Sequence, residues 1–117
     1  MPAQWDTVVL SGHTCVVVSD PTLDPDRVFV AAFTTFEPYK DDACLLNRGD
    51  HPAIKHLTCV SYDFFPDFFT SASLDALEHG QPVPHLAEKI LAGAQETRRI
   101  RQEAWILLDK QSLFEST

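Results

Sequence analysis

The chain has 117 residues and a mass of 13.1 kDa, enough for one hydrophobic core and not for two. Apolar residues make up 44% and charged residues 22%, which excludes a wholly disordered or fibrous chain. Seventeen acidic against nine basic side chains give a formal charge of −8, which excludes a general nucleic-acid binder with a basic face but not an enzyme touching a few phosphates.

Strand signals fill the first half. Residues 7–10 are a short β-branched run closed by Ser11-Gly12, and residues 14–19 form a second run stopped by Asp20-Pro21. Residues 27–33 are a third, entered through Pro25-Asp26. Their apolar character is continuous rather than alternating, so these strands are expected to be covered on both faces, by a helix or by another subunit. Residues 37–42 read as loop, 43–46 as a short strand, and 47–52 as a turn. In residues 58–62, Thr58, Val60 and Tyr62 fall on one side and Cys59 and Ser61 on the other. Closely spaced strands of this kind predict a small coiled antiparallel sheet or barrel.

The second half reads as helical. Ser73 is expected to cap a short helix that Gly80 ends, and Pro84 to open a longer one reaching about Leu108. Gly93 weakens its middle by up to about 1 kcal/mol relative to alanine. One domain over residues 1–117 is therefore predicted, mainly β over about 5–70 and helical over about 73–109. No run approaches the ~18–20 apolar residues that span a bilayer. Residues 1–6 have neither a basic nor an apolar leader region, so a cytoplasmic protein without a membrane segment is expected. Cys15, Cys44 and Cys59 then read as reduced, partly buried thiols.

The order of these elements resembles the MazF/PemK family of toxin ribonucleases. The resemblance lies in Gly12-His13 before the Val16-Val17-Val18-Ser19 strand, in Phe29-Val30-Ala31-Ala32-Phe33 ending at Thr34-Thr35, and in the helical tail. It runs from about residue 6 to residue 91. It implies a small SH3-like antiparallel barrel capped by a long C-terminal helix, a homodimer, an antitoxin-like protein partner, and metal-independent cleavage of single-stranded RNA without a cofactor. The family pairs a strand-ending threonine, matched by Thr34 and Thr35, with an arginine after the Gly-His. Thr14 stands in that arginine's place. Threonine supplies neither a cation nor a base at neutral pH, so other residues must do that work or the activity is lost, leaving an interaction module. Residues 41–56 also look like a stretch found in small bacterial proteins from which no function can be carried over.

The densest polar cluster is Arg48, Asp50, His51, Lys55 and His56. In one reading Arg48 grips a phosphate, Asp50 orients His51 as base or acid, and His56 is the complementary acid. In the other, Asn47-Arg48-Gly49-Asp50-His51-Pro52 is an ordinary turn, with Asp50 bonding local N–H groups. His13 is a candidate base beside the threonines, and Thr34, Thr35 and the 49–56 turn are expected to line one groove. His51, His56, Cys44 and Cys59 lack the paired cysteine spacing of structural zinc sites, and no metal is expected. Phe64, Phe65, Phe68 and Phe69 suggest core plus an interface with a protein partner or a second copy. Arg98, Arg99 and Arg101 read as a solvated helix face, with Arg99 pairing Glu96 and Glu103.

Overall fold

β-Branched residues on either side of Ser11-Gly12 form a tight hairpin. Strand β1 (Thr7–Leu10) pairs antiparallel with β2 (His13–Val17) across that two-residue turn, Leu10 opposite His13. A computed structural model describes residues 2–115 of the chain. In it β2 pairs with β3 (Val30–Thr35), and β3 with β5 (Thr58–Ser61). Two-residue strands β4 (Leu45–Leu46) and β6 (Glu78–His79) form the edges, giving an antiparallel sheet ordered β4-β5-β3-β2-β1-β6. The expected barrel is not closed. The sheet is open, because among the described residues β4 pairs only with β5 and β6 only with β1.

Both faces are buried, and the register shows how. Val16, Ala31, Phe33 and Val60 point to one side, packing with Leu86, Ile90, Ala94 and Leu107 of the helical half. Val8, Cys15, Val17, Val30 and Ala32 point to the other, packing with Leu74, Phe65 and Phe69. Each fully buried aliphatic side chain is worth about 1.5–3 kcal/mol. The cover of the second face comes from the chain itself. Phe65 and Phe69 pack edge to face at 5.1 Å, Val28 and Phe69 exchange backbone hydrogen bonds, and Phe68 joins the first core. Most of the phenylalanine segment is thus committed to its own sheet, and Phe64 is the one of the four classed as exposed, at 37%.

The helical half departs from expectation in two places. Helix α1 (Ser71–Asp75) is capped by Thr70, whose hydroxyl accepts from the Ser73 N–H at 3.1 Å. It ends early enough for Glu78 and His79 to pair with Val9 and Val8. The single long helix is two. A 3-10 turn at Pro84–Leu86 leads into α2 (Ala87–Glu96), and α3 (Gln102–Lys110) starts after a non-helical break. Thr97 causes the break locally. Its hydroxyl donates to the Asp41 carboxylate and accepts from the Arg99 N–H at 3.1 Å, which turns the backbone out of the helix at ψ 144°.

Gly93 also changes meaning. A Cβ built there meets the Cys44 Cβ at 2.7 Å and collides with the Tyr62 hydroxyl. Tyr62 donates to the Ile90 carbonyl at 2.7 Å, so the glycine lets α2 lie flat on this anchor. Gly93→Ala is therefore expected to destabilise the protein by about 1–3 kcal/mol, although alanine is the better helix former. A lower urea midpoint for the variant checks this; an unchanged or higher one refutes the close approach.

Candidate functional site

β3 is flanked by β2 and β5, and each of those strands is entered through a turn that carries a histidine. His13 opens β2, and His56 lies two residues before β5. The antiparallel pairings bring both to the C-terminal end of β3, where Thr34 and Thr35 stand. A cavity of about 200 Å³ there is lined by His13, Thr14, Thr34, Thr35, Lys55 and His56, among others. A second, of about 460 Å³, shares His13, Thr34 and Thr35 and adds Lys40, Phe64 and Arg99. The two meet over the strand end.

The polar contacts are specific. Thr35 Oγ1 and His56 Nε2 are hydrogen-bonded at 2.8 Å. His13 Nδ1 donates to the Phe33 carbonyl at 3.4 Å, which leaves Nε2 of the neutral ring with its lone pair unused. The His13 ring packs edge-on against Phe64, 4.8 Å between centroids. Thr34, at the cavity wall, is on the sheet face opposite Thr35, with its hydroxyl 3.2 Å from Cys59 Sγ. Lys40 donates to the Thr35 carbonyl at 2.7 Å. Neither Lys55 nor Arg48 is in an ion pair among the described residues.

The 48–51 part of the predicted cluster points elsewhere. Asp50 does not orient His51. Its carboxylate accepts the Asn47 N–H at 2.7 Å, closing the turn on itself. His51 is 7% exposed and fully committed. Nδ1 accepts the Ala53 N–H at 3.0 Å, and Nε2 therefore carries the proton and donates to the Gln81 carbonyl at 3.0 Å. Arg48, Asp50 and His51 line a separate surface cleft with Gln81 and His85. The expected groove thus gathers Thr34, Thr35, His13 and His56, with Lys55, but not Arg48, Asp50 or His51. Ile54 explains the division. It is buried in the core beside Phe33, so the chain pivots there.

Three contributors escaped the sequence: Lys40, Arg99 and His85. Arg99 is not paired with Glu96 or Glu103 as expected; in the break after α2 it donates to the Tyr39 carbonyl at 2.9 Å. Arg101 instead approaches Glu103 at 3.8 Å and stacks 4.8 Å over Phe68. Only the run of arginines itself signalled these roles. Among the described residues no group of three or more His, Cys, Asp or Glu is placed to hold a metal ion, and no helix is long and apolar enough to cross a membrane. The chain matches no protein-family model, no curated protein and no solved structure.

Two outcomes follow from the buried groups here. His51→Ala is expected to cost about 1–3 kcal/mol by orphaning the Gln81 carbonyl and the Ala53 N–H, measured by urea denaturation. Burial pushes the Cys15 thiol up to about 12 and Cys44 to about 11 from an ordinary 9.0. The folded thiols keep protons that unfolded ones lose, so their stabilisation is complete below pH 9.0 and is lost as pH rises toward about 11–12. A urea midpoint that falls steadily from pH 9 upward, with Cys15→Ala and Cys44→Ala flattening the fall, is the expected titration.

Proposed function

We propose that the protein is a MazF/PemK-like endoribonuclease with an opened version of the SH3-like sheet. It cleaves single-stranded RNA through attack of the 2′-hydroxyl on the adjacent phosphorus. What supports this is the convergence of His13 and His56 on one small cavity over Thr34 and Thr35. Thr14, in the place of the family's arginine, lines the same cavity, so the residues that compensate for it are sought there.

His13 is the base. With Nδ1 donating to Phe33, its Nε2 takes the proton of the attacking 2′-hydroxyl. His56 is the acid. Its protonated ring donates from Nε2 to Thr35 Oγ1 and from Nδ1 to the departing 5′-oxygen. The 2′-oxygen–phosphorus bond forms and the phosphorus–5′-oxygen bond breaks, leaving a 2′,3′-cyclic phosphate and a free 5′-hydroxyl. Lys55, uncommitted to any acid, faces the phosphorane charge, and Lys40 pins the Thr35 carbonyl beside it. The alternative of an interaction module built on residues 64–69 has less behind it, because Phe65, Phe68 and Phe69 are packed into the protein's own cores.

The test is incubation of purified protein with end-labelled mixed-sequence RNA, with and without divalent cations. Products ending in cyclic phosphate are expected, and His13→Ala or His56→Ala should each lower kcat by about 10²–10⁴-fold. RNA left intact at molar excess of protein in every buffer removes the proposal.

A further inference from the structure

The reaction cavity does not end at Lys55. That residue and Ile54 are shared with the cleft of about 490 Å³ lined by Arg48, Asp50, His51, Gln81 and His85. The two spaces adjoin, and few of the residues lining them are acidic. Together they are lined by Arg48, Lys55 and four of the five histidines, against a single carboxylate, Asp50. That carboxylate already accepts the Asn47 N–H. In a chain of formal charge −8, this is a local reversal of sign.

Each group in the cleft has a defined stance. His85 Nε2 donates to the Asp50 carbonyl at 2.8 Å, which fixes its ring and leaves Nδ1 unbonded. His51 clamps Gln81 from beneath and has no ring nitrogen to spare, so it shapes the wall without contacting ligand. Arg48 is exposed and in no ion pair among the described residues, and its planar fork is suited to two phosphate oxygens.

We propose that the Arg48–His85 cleft is a phosphate subsite that holds the RNA backbone beyond the cleaved linkage, with Lys55 as the cation shared between the two positions. This rests on the ribonuclease reading of the neighbouring cavity. It adds that the substrate is a chain extending past the scissile dinucleotide, not a dinucleotide or a mononucleotide.

Binding of fluorescent 2′-O-methyl oligoribonucleotides, which lack the attacking hydroxyl, separates the two ideas. The wild type should bind a hexanucleotide at least about tenfold more tightly than a dinucleotide at low salt, with affinity falling as salt rises. In the Arg48→Gln/His85→Gln double variant that length advantage should shrink to about threefold or less, as expected for lost phosphate contacts. Lys110→Gln, an equal loss of charge at the end of α3, should retain it. Both altered residues are exposed, and thermal melting checks that the fold is kept. A double variant with the full length advantage, or a wild type with none, overturns the subsite even if RNA is cleaved. A length advantage that depends on Arg48 and His85 in a protein that cleaves no RNA upholds the subsite and refutes the ribonuclease.

Discussion

Burial of the β2–β3 pair on both faces is the constraint from which the rest follows. Val16, Ala31 and Phe33 are sealed under the helices, and Cys15, Val17, Val30 and Ala32 under the segment that carries Phe65, Phe69 and Leu74. Side chains alternate between two apolar layers, and a polar group in either would need a buried partner. Chemistry is thereby confined to strand ends. β3 is buried along its length until Thr35, its one exposed residue. Antiparallel pairing on both sides then obliges the turn before β2 and the turn before β5 to arrive at that same end. The presence of both His13 and His56 around the C-terminal end of β3 is a consequence of strand order, not of any sequence motif.

That geometry also decides what was legible. The strand runs, the Ser11-Gly12 hairpin and the two-sided cover could be read because they rest on composition within a few residues. Thr34 and Thr35 are candidates through the family resemblance, which places a threonine at a strand end, and His13 through its expected place beside them. What failed depends on contacts across long separations. The helix break at Thr97 needs Asp41, 56 residues away, and the Glu78–His79 strand needs the free edge of β1. Gly93 reads as a helix defect until Tyr62 and Cys44 lie against it. The 48–56 stretch looked like one cluster because its polar residues are adjacent in sequence. Ile54 in the core splits it, sending His56 to the threonines and His51 to Gln81.

Acidity and phosphate chemistry are compatible when the positive groups are concentrated. Seventeen acidic side chains make the general surface repulsive to nucleic acid and suppress non-specific binding. Of the carboxylates around the groove, Glu37 lies 4.0 Å from Lys40 and three others accept hydrogen bonds. Asp41 holds Thr97 and the Ala43 N–H, Asp63 accepts from Ser61 at 3.3 Å, and Asp50 closes its own turn. On the proposed reading, a polyanion would therefore gain from one track and little elsewhere.

On the proposed reading, threonine at position 14, where the MazF/PemK family has an arginine, calls for another source of positive charge. An arginine there would bring a planar cation into a cavity of about 200 Å³ already occupied at its rim by His13 and His56. A guanidinium, which keeps its proton, would disfavour protonation of the neighbouring histidines and compete with them for the same phosphate oxygen. On the proposed ribonuclease reading, threonine at position 14 avoids that conflict and leaves the histidines free for proton transfer. The fixed positive charge that the proposal calls for is then Lys55, one residue before His56 and open to solvent. An ammonium on a flexible stem is a weaker, less directional phosphate ligand than a guanidinium. On the proposed reading, substrate positioning then draws on contacts farther along the RNA, a role suited to the exposed Arg48 in the next cleft.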